Sequence, residues 1–268
     1  MVRKTRGLPL PDQLPDQRNF LTGISVAPER IESHDAFPFT IPAISALDNL
    51  PFKHPVTFLV GENGAGKSTL LEAIAVAWGL NPEGGSKNFN FSTRASHSGL
   101  ADVLRLSRGM HRPRDSFFLR AESYFNVATE IEVLDREPGM GPRIIESFGG
   151  KSLHEKSHGE SFFALFMNRL GVDGFYVFDE PEAALSPQRQ LAFLSRMHDL
   201  VRDGSQFLIA THSPILMAYP DATIYLLADG PPRPIAYRDT EHYTVTRNFL
   251  LRTEQMLDIL LDRRPEGA

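Results

Sequence analysis

The chain has 268 residues, enough to bury a sizeable core, and contains no cysteine, so disulfides are excluded. No run of about 18 or more uninterrupted apolar residues occurs, which predicts a soluble globular protein with no direct membrane insertion. A formal net charge of -5 gives no global attraction to phosphate backbones or anionic lipid and argues against a dedicated nucleic-acid coat protein.

The opening MVRKTRGLPLPDQLPDQ carries basic residues without a following apolar stretch, so it does not read as a secretory signal, and a cytoplasmic location follows by elimination. Residues 1–20 are rich in Pro, Asp, Gln and Arg without periodicity and are expected to form a flexible arm ahead of one domain over 21–268. The apolar run Val56-Thr57-Phe58-Leu59-Val60 ends on Gly61 as a buried strand should, and a helical pattern follows from Lys67 to Trp78.

Leu100, Val103, Leu104 and Leu106 stand at helix-like spacing within a Gly-, Ser- and Arg-rich stretch, which predicts a partly helical insertion at about 80–170. Phe117-Phe118-Leu119 reads as a returning strand, residues 123–135 as a helix, and Phe162 to Leu170 as another. Strand signals at Phe175-Tyr176-Val177-Phe178, at Gln206-Phe207-Leu208-Ile209-Ala210 and from Asp221 to Leu227 complete the pattern. Strands alternating with helices predict an α/β fold with a largely parallel sheet flanked by helices. Phe249, Leu250, Met256, Leu257, Ile259, Leu260 and Leu261 have helical spacing in the tail, which should pack on the core or on a partner subunit.

The segment from Gly61 to Thr69 fits G-x-x-x-x-G-K-[ST] between a predicted strand and a predicted helix, the context that identifies a P-loop. Its glycines let successive backbone N–H groups converge on phosphate oxygens, and the helix N-terminus adds the positive end of its dipole. Asn63, Gly64, Ala65, Gly66, Lys67, Ser68 and Thr69 are therefore the expected phosphate-binding residues, with Lys67 bridging β and γ phosphates and Ser68 ligating Mg²⁺. The ligand is a nucleoside triphosphate.

Three further segments carry polar groups at the ends of apolar elements. Asp179 and Glu180 close an apolar strand; they suit Mg²⁺ and an attacking water, or else a solvated turn. Lys156-Ser157-His158-Gly159-Glu160-Ser161 precedes an apolar helix and reads either as a capping box or as a second phosphate-binding end. His212 ends a strand, either as a satisfied structural residue or as a hydrogen-bonding sensor of the γ-phosphate.

In this order the four elements resemble the Walker A, signature, Walker B and switch-histidine motifs of the ABC ATPase superfamily, over the span from Val56 to Ser213. The chain is most similar to the soluble branch, which includes SMC-like ATPase heads and stand-alone predicted AAA-family ATPases; KSHGES departs from the transporter-style LSGGQ. The resemblance implies an antiparallel β portion near the N-terminus, a small helical lobe, and ATP with Mg²⁺ as the bound species. It also implies an ATP-dependent homodimer, with Ser157 and Gly159 on the γ-phosphate held by the other subunit and Ala184-Leu185-Ser186 as the loop coupling the two sites.

The family's usual Gln ligand has no counterpart between Lys67 and Asp179, and Glu122 in FFLRAES is the expected substitute as a metal ligand. Lys67, Glu180 and His212 form the expected catalytic set for attack by water on the γ-phosphate. Phe37 and Phe39 are candidates to stack on adenine, or else core residues of a strand.

The hydrolytic cycle would energise a protein partner or a nucleic-acid process. The span between the P-loop and KSHGES is too short for the long coiled coil of SMC-type repair proteins. Arg105, Arg108, Arg112 and Arg114 form either a nucleic-acid or acidic-partner patch or a solvated face. Two alternatives stand beside this reading: the ATPase subunit of a membrane transporter, or a slowly hydrolysing ATP-gated interaction module in DNA repair or phage defence.

Overall fold

The computed structural model describes residues 19–82, 84–85, 99–120 and 158–262. Nine strands and seven α-helices lie within them. The strands are β1 Leu21–Val26, β2 Asn49–Pro51, β3 Val56–Val60, β4 Leu104–Arg108, β5 Asp115–Arg120, β6 Gly174–Asp179, β7 Gln206–Ala210, β8 Thr223–Ala228 and β9 Gly230–Pro234. The helices are α1 Pro42–Ser45, α2 Lys67–Trp78, α3 Leu100–Val103, α4 His158–Arg169, α5 Pro187–Arg202, α6 Glu241–Leu251 and α7 Thr253–Leu260.

A six-stranded sheet runs β5-β6-β7-β3-β8-β9, parallel through its first five strands and closed by the antiparallel edge strand β9. β3, β6 and β7 are buried along their whole length because both faces are covered, as parallel strands require. Alternation assigns each residue to a face. Leu59, Phe175, Val177 and Leu208 pack with Trp78 and Leu71 of α2 on one side. Phe58, Tyr176, Phe178, Phe207 and Ile209 pack with Phe162 and Phe166 of α4 and Phe193 and Met197 of α5 on the other. On this second side Phe193 stacks on Phe166 with centroids 3.9 Å apart and meets Phe178 edge-on at 5.6 Å.

A separate antiparallel sheet, β2-β1-β4, supplies the β portion near the N-terminus. Gln206 of β7 joins it to the main sheet: its amide accepts from the Leu21 N–H at 2.9 Å and donates to the Leu21 carbonyl at 2.7 Å, so a buried amide substitutes for a strand neighbour. Trp78, at the end of α2, donates to Ser116 Oγ at 3.1 Å and carries the Arg108 guanidinium over its ring.

Two expectations change. Leu104 and Leu106 belong to a strand, not a helix: a three-and-one leucine spacing satisfies either period, and pairing with β1 decides it. Phe37 and Phe39 lie in turns before α1, not in a strand, with Phe37 67% exposed and Phe39 buried. The tail forms two helices broken at Arg252, and neither buries any residue. Leu250 and Leu251 line an apolar groove of about 870 Å³ with Leu191, Leu194 and Ile215, and, like Ile259, Leu260 and Leu261 of the last turns, they are exposed. Residues 1–18 of the expected arm and the 123–135 helix lie outside the described residues, while Asn19 and Phe20, expected in the arm, are buried against the domain.

Candidate nucleotide site

Register places the site. Across four neighbouring strands Arg120, Asp179, Ala210 and Leu59 stand opposite one another, so the carboxyl ends of β5, β6, β7 and β3 form one edge. Open α/β sheets bind ligands outside such an edge, where each chain leaves its strand for a loop.

The loop after β3 turns on Gly61, Gly64 and Gly66, all with positive φ. Gly61 has no room for a side chain, since a Cβ there would lie 2.2 Å from the Leu227 carbonyl oxygen. Gly66 then enters α2, whose first residue is the buried Lys67. The Lys67 ammonium donates to the Gly61 and Glu62 carbonyls at 2.9 Å each. Burial lowers its pKa, while Glu180, Asp179 and Glu182 oppose that shift.

Ser68 Oγ donates to Asp179 Oδ1 at 2.9 Å, which joins the start of α2 to the end of β6. Arg120 holds the same carboxylate from the other side, with Nε 3.5 Å from Asp179 Oδ2 and Nη1 2.7 Å from Glu72 Oε2. Sequence reasoning passed over Arg120, because an arginine at a strand end carries no motif; its value comes from the β5-β6 register.

Glu180 follows with φ 50 and ψ 53, a left-handed backbone held by its N–H donating to the Ala210 carbonyl at 3.0 Å. A non-glycine residue in that region costs on the order of 1 kcal/mol, which the surrounding structure supports. Pro181–Ala184 forms a short 3-10 turn, Leu185 is buried, and Ser186 caps α5 by accepting from the Arg189 N–H. Glu182 accepts the His212 N–H at 2.5 Å; its burial raises the carboxyl pKa, and that hydrogen bond partly opposes the rise.

His212 lies beyond β7 with Nε2 3.4 Å from Glu180 Oε1 and Nδ1 2.7 Å from His242 Nε2. Burial and then the Lys67 charge lower its pKa, so the imidazole is neutral at neutral pH. His242, on the first turn of α6, was also missed by sequence reasoning: the tail offered only apolar spacing. It shares with Asn63, Gly64, Arg233 and Asp239 the lining of a cavity of about 500 Å³ beside the phosphate loop.

Thus Lys67, Ser68, Asp179, Glu180 and His212 come together at one edge, with Asn63 to Gly66 in the turning loop and Thr69 in the first turn of α2. Gly159 lies in the first turn of α4, while Ser157 and Glu122 lie outside the described residues. Ser68 and Asp179 offer one hydroxyl and one carboxylate, a donor set that fits Mg²⁺, which takes few protein ligands and completes its shell with phosphate oxygens and water. Of the basic patch, Arg105 pairs with Glu29, Arg114 with Asp173 and Arg108 with the Trp78 ring.

Residues 43–121 match a family model described as "AAA domain", and residues 160–218 match one described as "AAA domain, putative AbiEii toxin, Type IV TA system". The chain is 28% identical over 253 residues to the hemin import ATP-binding protein HmuV of Nocardia farcinica, covering 85% of this chain and 82% of that protein. It is 29% identical over 177 residues to the cytochrome c biogenesis ATP-binding export protein CcmA of Rhodopseudomonas palustris, covering 60% and 79%. Among solved structures it is similar to the SMC head domain from Thermotoga maritima, with 15% identity, a TM-score of 0.42, and coverage of 80% of this chain and 98% of that one. No helix among the described residues is long and apolar enough to cross a membrane. Over residues 43–121 and 160–218 the chain is thus similar to AAA domains, and over most of its length to ATP-binding proteins of ABC type, a likeness that agrees with its glycine-turned phosphate loop and its Ser68–Asp179 pair.

Proposed function

We propose that the protein hydrolyses ATP with Mg²⁺ at sites completed by a second copy of the chain, and that ATP binding drives the homodimer. The observation that carries this reading is the row at the carboxyl edge: Ser68 bonded to Asp179, with Glu180 and His212 beside it. Ser68 and Asp179 would hold Mg²⁺, which supplies charge neutralisation at the β and γ phosphates. The Lys67 ammonium, exchanging its loop carbonyls for phosphate oxygens, would stabilise charge that develops on the transferred group. Glu180 orients the attacking water and accepts its proton, and His212 donates to the γ-phosphate. Gly159 at the head of α4, together with Ser157, would close over the partner's γ-phosphate, and Glu122 would serve the metal.

Phosphate release by the purified chain, with Mg²⁺ and with EDTA, tests this directly. Turnover should require Mg²⁺, vanish in Lys67→Ala with nucleotide binding, and fall at least about a hundredfold in Glu180→Gln while binding persists. Turnover unchanged in Glu180→Gln would reject the assignment.

The names of the aligned relatives favour a second reading, an ATP-binding subunit serving a membrane transporter. Recovery from native membranes with an integral partner would support it. A homodimer that turns over unaided in the soluble fraction supports the first reading.

A further inference from the structure

His212 and His242 come from different ends of the architecture, one from the exit of β7 and the other from the start of α6, thirty residues later. Their rings meet at 62° with centroids 4.8 Å apart, and Nδ1 of His212 lies 2.7 Å from Nε2 of His242. Two imidazole nitrogens at that distance need one hydrogen between them, so one ring donates and the other offers a lone pair.

The opposite side of His212 decides which. Its Nε2 is cut off from solvent and has no hydrogen-bond partner within normal range among the described residues, while the nearest charged oxygen, Glu180 Oε1, is 3.4 Å away. If His212 donated from Nδ1, its Nε2 lone pair, itself cut off from solvent, would face a carboxylate oxygen at 3.4 Å, acceptor against acceptor. If His242 donates, His212 carries its hydrogen on Nε2, which then points a donor toward Glu180. We propose that His242 is a positioning residue that fixes the tautomer of His212, holding the Nε2 hydrogen where the γ-phosphate and Glu180 meet. The role in turnover rests on the hydrolytic reading above; the tautomer does not.

Its placement is built into the fold. Thr240, buried at 1% exposure, caps α6 by accepting from the Tyr243 N–H, and the Tyr237 hydroxyl donates to the Pro214 carbonyl at 2.8 Å, tying the segment before α6 to the loop after His212. Low pKa values of both imidazoles, from burial and then the Lys67 charge, keep the pair neutral, the state in which a tautomer has to be chosen.

Ring-¹⁵N NMR of the histidine-labelled full chain tests the claim, with His212 assigned through His212→Gln. Wild type should show His212 with hydrogen on Nε2 and a bare Nδ1. His242→Ala should mix the two tautomers and lower kcat about tenfold, with KM for MgATP within about twofold. His242→Gln, whose amide Nε2 can still donate, should restore the Nε2-H tautomer and most of kcat. Hydrogen on Nδ1 of wild-type His212, an unaltered kcat in His242→Ala, or a glutamine variant as impaired as the alanine one would each overturn the proposal. If the alanine variant does not fold, wild-type tautomer and the glutamine variant still decide. A wild-type chain with the expected tautomer but no hydrolysis would refute the hydrolytic reading while supporting the positioning of His212 by His242.

Discussion

Ser68 Oγ donates to Asp179 Oδ1 at 2.9 Å across 111 residues of chain. Neither element reaches the other by local preference; the pair forms because β7 alone separates β3 from β6 and their carboxyl ends share a level. The donors expected for the metal are therefore arranged by the sheet before any ligand arrives.

Asp179→Asn keeps the size of the side chain and removes its charge. Apparent Mg²⁺ affinity in the ATPase assay should fall about 10- to 100-fold, with nucleotide binding in EDTA retained. Titration of Mg²⁺ at saturating ATP checks this; an unchanged midpoint would remove Asp179 from the metal.

Arg120 is three-quarters buried and spans Glu72 and Asp179. Its loss removes the cation that Glu72 and Asp179 share, so Arg120→Ala should cost about 3 kcal/mol in urea unfolding, and Arg120→Lys, which cannot span both carboxylates with a planar fork, should recover only part. Equal stability of the three proteins would show that the guanidinium is spectator charge.

Phe193 joins α5 to α4 and β6 through its stack on Phe166 and its edge on Phe178. Phe193→Ala should lower unfolding stability by about 3–5 kcal/mol. Because α4 begins at the KSHGES segment, ATP-dependent self-association should weaken with it even where the variant stays folded, which light scattering with and without ATP can follow.

Glu182 has its folded pKa raised, chiefly by burial. The folded state then binds a proton more tightly than the unfolded chain, so this group's stabilising effect is full below the ordinary value of 4.5 and is lost as pH rises through the folded value. Glu182→Gln removes that dependence. The stability difference between variant and wild type should shift in the variant's favour as pH rises from 4.5 toward neutrality, by chemical unfolding at several pH values; a constant difference would contradict the raised pKa.

The stretch from Val56 to Trp78 was legible in the sequence because its signals agree: a largely apolar, β-branched run for a strand buried on both faces, glycines where φ turns positive, and a helix that starts on Lys67. Asp179, Glu180 and His212 were legible as polar residues closing apolar strands. Leu104 and Leu106 were misread because leucines at that spacing serve a helix face or a strand edge, and only long-range pairing with β1 chooses. Arg120 and His242 were hidden for a related reason: each acts through a neighbour thirty or more positions distant, which strand register brings to Arg120 and the packing of α6 brings to His242.

The most direct test of a composite site is the dependence of turnover on protein concentration, with mass followed by light scattering in the same samples. Rate should rise more steeply than concentration, and Glu180→Gln should be held by ATP as a dimer that reverts to monomer in EDTA. A rate strictly proportional to concentration from a protein that stays monomeric with ATP and Mg²⁺ would contradict the account.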